Sequence, residues 1–287
     1  MIEMGERHIA GLVKKEVQVD DHRIVYLEGG KGEAILLLHG FGGDKYLWMR
    51  FARYLTDLYR VAIPDLPGFG ESSQIPTATY DADSQVKRID RFVRALDIER
   101  FHLAGNSMGG LLAALYAAAY PEKVITLSLL APAGVESPRP SELVLLLRKG
   151  INPLIAGSPA EYDRLLGLCF VKPPFVPAEF KKMLAADAVS HRGFNEKIWN
   201  DMRLHRGRDG SFSPESHLEP YLPKLLAPVL VLWGDSDRVL DAGGAAVLEK
   251  KLRTARVVVM KETGHMPMLE KPRETAAAVV AFLGENR

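Results

Sequence analysis

The chain has 287 residues, 47% of them hydrophobic and 25% charged, with a formal net charge of +1. That is enough apolar material for one large α/β domain with an insertion, and so balanced a charge gives a nucleic-acid partner no footing. The lone cysteine, Cys169, excludes an intramolecular disulfide and argues against a thiolate metal site. No apolar run is long enough to span a bilayer. Residues 1–15 carry Glu3, Glu6, Arg7, Lys14 and Lys15 around no apolar stretch, so no signal peptide is read and the expected location is cytoplasmic.

Residues 17–27 predict a strand pair turning at Asp20-Asp21. The continuous apolar run 34–38 predicts a central strand covered on both faces, ending in His39-Gly40-Phe41-Gly42-Gly43. A helix is expected over 46–58 and a buried strand over 60–64, which runs into Asp65-Leu66-Pro67-Gly68. Val86, Ile89, Phe92, Val93 and Leu96 share one face of a helix over 82–96. Further strands are predicted at 101–105, 124–130, 229–233 and 256–260, and a last helix at 276–283. Strands alternating with helices make this an α/β chain with a mostly parallel central sheet and helices on both faces. The rhythm breaks after the sixth strand. Residues 135–215 read as an inserted helical cap, with helices at 141–149, 160–169, 178–189 and 195–204, and residues 1–134 and 216–287 form the core domain.

Gly105-Asn106-Ser107-Met108-Gly109 lies between a strand and a helix. A nucleophile on so sharp a turn brings strand and helix close together, and only residues without a Cβ fit on either side of it. Ser107 is therefore the candidate nucleophile. A serine hydroxyl needs a base, and His265 stands in a loop after the last strand, where it reaches the C-terminal edge of the sheet. The other histidines lack that placement. The base needs a carboxylate to fix its tautomer. Asp235 and Asp237 follow the penultimate strand, and Asp237 is preferred because it lies deeper in the loop. Rigid backbone donors suit an oxyanion hole. Met108 N–H and Phe41 N–H are expected to supply it, with Gly40 and Gly42 allowing close approach and His39 bracing the loop. Asp65 is given a structural role. No dinucleotide fingerprint, P-loop or metal-ligand spacing occurs, so no cofactor and no metal are implied.

These motifs together resemble the α/β-hydrolase superfamily, in which nucleophile, acid and base follow one another in the order of Ser107, Asp237 and His265. Gln85–Ile89, Ala131–Gly134, Leu166–Cys169 and Val239–Asp241 resemble the monoacylglycerol lipase branch, whose animal members are membrane-anchored. The resemblance implies a serine hydrolase that cleaves monoacylglycerols or other medium-chain acyl esters through an acyl-enzyme. Its partner would be a small ester, with transient contact to a lipid surface through the cap. No anchor helix like that of the animal members is read here. Gly105-Asn106-Ser107-Met108-Gly109-Gly110 also looks like the carbon–carbon bond hydrolases that act on meta-cleavage diketo acids. Phe41 and Met266 differ from the usual residues of that group, which makes it the second reading.

Overall fold

The computed structural model describes residues 8–202 and 218–286. Among the described residues, eight strands form one sheet: β1 (Leu12–Val19), β2 (His22–Gly29), β3 (Ala34–Leu38), β4 (Arg60–Pro64), β5 (Phe101–Ser107), β6 (Val124–Pro132), β7 (Val229–Gly234) and β8 (Ala255–Met260). Their spatial order is β1-β2-β4-β3-β5-β6-β7-β8. Only β2 runs against the rest, pairing antiparallel with β1 and β4. β3 sits between β4 and β5 and is buried at every position, as its unbroken apolar run requires.

Alternate residues of β3 feed two cores. Leu36 and Leu38 join Leu103 and the helices Ala82–Ala95 and Met108–Ala119 on one face. Ile35 and Leu37 join Trp48, Phe51, Val279 and Phe282 on the other. The helix Ala82–Ala95 starts where the Asp81 carboxylate accepts the Ser84 N–H at 2.7 Å.

In the core, three elements differ by more than two residues from the sequence expectation. The helix expected over 46–58 is a 3₁₀ turn, Lys45–Trp48, and one helical turn, Met49–Ala52, followed by turns. Tyr, Trp, Phe, Thr and Asp are weak helix formers. The segment is held instead by burial of Trp48, Phe51 and Leu55, each 0% exposed. β1 starts at Leu12, five residues before the strand pair was expected, because it is an edge strand with most residues exposed and shows no clean alternation. The last helix begins earlier, at Pro272, which suits the first helical turn, where no N–H is needed.

Among the described residues, four α-helices lie between β6 and β7: Glu142–Arg148, Pro159–Cys169, Ala178–Ser190 and Arg192–Asp201. The fourth was expected to begin at 195. It begins earlier because His191 closes one helix and opens the next. Leu204 and the expected boundary at 215–216 lie outside the described residues, as do Glu3, Glu6 and Arg7. Among the described residues, no helix is long and apolar enough to cross a membrane.

Candidate active site

β5 ends on Ser107, whose backbone takes φ 57° and ψ −121°. Such a left-handed conformation is costly for a residue with a Cβ and persists only where its surroundings enforce it. The glycines are that enforcement. A Cβ on Gly105 would lie 2.1 Å from the Gly109 carbonyl oxygen, and one on Gly109 would lie 2.3 Å from the Leu38 carbonyl oxygen. β3, β5 and the helix after Ser107 thus meet with no room for side chains. Met108 is the first residue of that helix, so its N–H has no carbonyl one turn back within the helix.

The loop after β3 lies directly against the serine. A Cβ on Gly40 would be 3.1 Å from Ser107 Cβ. His39 is fully buried beneath this loop. Its Nε2 accepts the Leu66 N–H at 2.9 Å, which leaves the proton on Nδ1 to donate to the Gly40 carbonyl at 2.8 Å. That neutral tautomer fits its burial, which pushes the imidazolium pKa below the usual 6.5. Gly42 has φ 68°, the reason a glycine is needed there. Phe41 packs edge-on against Phe69 and Trp199 at 5.7 and 5.3 Å.

The same loop is tied at its far end by an ion pair for which the sequence carries no signal. Lys45 is 0% exposed, and its Nζ lies 2.7 Å from Asp65 Oδ2 and 2.8 Å from Glu71 Oε1. Asp65 Oδ1 accepts the Lys45 N–H at 2.7 Å, and Oδ2 accepts the Glu71 N–H at 2.8 Å. A Cβ on Gly70 would fall 2.4 Å from that carboxylate. Burial lowers the Lys45 pKa, but the two carboxylates raise it by more, so the net shift is upward. The structural role expected of Asp65 thus takes a definite form. His39–Leu66 and Lys45–Asp65 hold the loop 39–45 at both ends.

Asp237 and His265 come together from separate loops. His265 Nδ1 donates to Asp237 Oδ2 at 2.8 Å, and Asp237 Oδ1 accepts the Val239 and Leu240 N–H groups at 2.8 and 2.9 Å. Both residues are buried. The bond to Asp237 fixes the tautomer and leaves His265 Nε2 as the free ring acceptor. Asp235 instead lies at the surface, bonded to Ser236 and beside Lys261. Asn106, which no sequence signal marks for a role, donates from Nδ2 to the carbonyls of Leu130 and His265, both at 3.0 Å. That bond brings the His265 loop to the residue next to Ser107. Ser107 Oγ itself makes no hydrogen bond to a described residue.

His22, His102 and His191 bond elsewhere, to Asp21 and Tyr80, to Thr126 and to the Asp187 carbonyl. His205 and His217 lie outside the described residues. Among the described residues, no group of three or more His, Cys, Asp or Glu side chains is placed to hold a metal ion.

Residues 33–272 match the α/β-hydrolase fold family. The chain is 31% identical to the monoacylglycerol lipase ABHD6 of Bos taurus, over 96% of this chain and 84% of that protein. The structure is similar to that of a membrane phospholipase A described as a bacterial virulence factor, with 46% identity, a TM-score of 0.94, and 100% and 90% of the two chains covered. It is also similar to a meta-cleavage product hydrolase from Pseudomonas fluorescens IP01, at 25% identity and a TM-score of 0.81 over 95% and 98% of the chains. The chain belongs to the α/β-hydrolase family and is a lipase-like serine hydrolase of its lipase and esterase branch.

Proposed function

We propose that this chain cleaves carboxylic esters, monoacylglycerols or other medium-chain acyl esters, through an acyl-enzyme on Ser107. The observation that carries the proposal is the buried His265–Asp237 hydrogen bond of 2.8 Å, in a loop tied to Asn106 beside a strained serine. His265 Nε2 takes the Ser107 proton as Oγ attacks the ester carbonyl. Asp237 stabilises the imidazolium that forms, and the Phe41 and Met108 N–H groups hold the oxyanion. His265 then gives its proton to the departing alcohol. Water repeats the sequence and frees the acid. Loss of one oxyanion donor costs on the order of a hundredfold in rate.

The four helices after β6 act in this reading as a lid that lines the acyl pocket. Support comes from Leu154, Leu165, Leu166 and Trp199, which pack towards the core or the Phe41 ring. Each methylene added to the acyl chain buries about 0.8 kcal/mol, so kcat/KM rises about fourfold per carbon until the pocket is full. Phe175 and Met183, 85% and 65% exposed on the same insertion, would meet a lipid surface. The single cysteine favours a reducing compartment, and a cytoplasmic location is proposed with it.

A panel of nitrophenyl esters of graded chain length, with and without Ser107→Ala, tests the reading. Turnover with a chain-length optimum, abolished by the substitution, is expected. Slow ester turnover beside fast cleavage of a vinylogous diketo acid would replace it with carbon–carbon bond hydrolysis. Recovery of the protein with membranes after cell fractionation would overturn the cytoplasmic assignment.

A further inference from the structure

The loop that carries His265 is held by the insertion as well as by the sheet. After the helix Pro159–Cys169, the chain passes directly beside residues 264 and 265. His265 N–H donates to the Cys169 carbonyl at 2.8 Å. The two segments are so close that a Cβ on Gly264 would lie 2.4 Å from that same oxygen. One side chain then closes the junction. Glu270, at the end of the short helical turn Pro267–Glu270, accepts the Gly264 N–H on Oε2 at 2.8 Å. Its Oε1 accepts the N–H groups of Val171 and Lys172 at 3.0 and 2.7 Å. A carboxylate that takes three backbone donors fixes these two segments and its own helical turn at once. The acid loop is tied to the same insertion: Arg238, next to Asp237, donates to Glu142 at 2.7 Å and to the Gly167 carbonyl at 2.8 Å.

We propose that Glu270 is a positioning residue for the reaction. It locks the Gly264–His265 backbone to the insertion at 171–172 and so sets the His265 ring against Asp237. The inference rests on the reading of His265 as the base. It implies that the 169–172 end of the insertion stays docked through the reaction. Substrate is then admitted by movement elsewhere, and undocking this end switches the enzyme off by releasing the base.

Kinetics of the full chain on a short, soluble nitrophenyl ester test this, with the wild type compared to His265→Ala, Glu270→Ala and Glu270→Gln. Small misplacements of a reacting group cost on the order of a hundredfold in rate, so Glu270→Ala is expected to lower kcat by about that factor. Its KM should stay within about twofold, because a short ester makes little contact with the insertion. Glu270→Gln keeps the side-chain shape and one acceptor oxygen and should recover part of the loss. The downfield proton signal of the His265–Asp237 hydrogen bond should be sharp in the wild type, broadened in Glu270→Gln and lost in Glu270→Ala. An unchanged kcat per folded molecule in both Glu270 variants, beside an inactive His265→Ala, would overturn the positioning role alone. An active His265→Ala would overturn the reading of the base instead. If Glu270→Ala does not fold, Glu270→Gln carries the test, and wild-type kcat with an unchanged proton signal in that variant refutes the proposal.

Discussion

The Asn106 side chain donates to the His265 carbonyl at 3.0 Å, joining the residue before the candidate nucleophile to a residue 159 positions further on. Its second donor hydrogen goes to the Leu130 carbonyl on the neighbouring strand β6, also at 3.0 Å. The amide is 1% exposed, and its two bonds register the His265 loop against the sheet.

Replacing Asn106 therefore has an ordered outcome. Asn106→Ala leaves two buried carbonyls short of a donor, a loss of about 1–3 kcal/mol. Asn106→Asp is worse, because it sets carboxylate oxygens against both carbonyls. Chemical denaturation and ester turnover on the same samples are expected to rank wild type, then Asn106→Ala, then Asn106→Asp. Equal values for the two variants would remove the donor argument.

The Lys45–Asp65 pair predicts a non-additive response. Lys45→Met strands a fully buried carboxylate and should cost about 3–5 kcal/mol. Adding Asp65→Asn removes the stranded charge and should restore more than half of that loss. Urea unfolding of the two single variants and the double variant gives the coupling. Full additivity would show that the two groups do not act as a pair.

Stability should fall on both sides of a neutral plateau. Burial raises the Glu71 pKa, but hydrogen bonds from Lys14, Lys45 and Tyr46 outweigh it and hold the carboxyl at about 2, below its usual 4.5. Its contribution is present above pH 4.5 and drains as the pH falls towards 2. His39 is also shifted down, by burial, so it too favours the fold above pH 6.5 and weakens it as the pH drops below that value. Lys45 is shifted up, so its contribution is present below pH 10.5 and is lost as the pH climbs through the raised value. Melting temperature against pH should show this profile, and Glu71→Gln should flatten the limb between 4.5 and 2. A limb unchanged in that variant would assign the acid loss to other groups.

Glycines divide sharply by site. Gly109→Ala drives a Cβ into backbone at 2.3 Å, and the protein is expected not to fold. Gly167, within the helix Pro159–Cys169, has nothing within 4 Å of a Cβ. Gly167→Ala should therefore stabilise the protein by about 0.5–1 kcal/mol, since alanine is the better helix former. Thermal unfolding of the two variants decides both.

What could be read from the residues was what chemistry makes local. The elbow was legible because its glycines answer a steric demand within five residues. The meeting of Asp237 and His265 was legible because each follows a strand, and the two strands end on the same edge of the sheet. The ties that set these groups were not. Lys45–Asp65, Glu270–Val171 and Asn106–His265 join residues 20, 99 and 159 apart, and neither partner is of an unusual type. The expected helix over 46–58 is instead a turn-rich segment, because its apolar spacing comes from burial of Trp48, Phe51 and Leu55 rather than from helical periodicity.

Intact-mass analysis after treatment with a fluorophosphonate tests the central claim most directly. The account predicts one adduct per chain, mapped to Ser107, and none in Ser107→Ala or in heat-unfolded protein. An unmodified chain, or an adduct elsewhere with the Ser107 peptide intact, would contradict it.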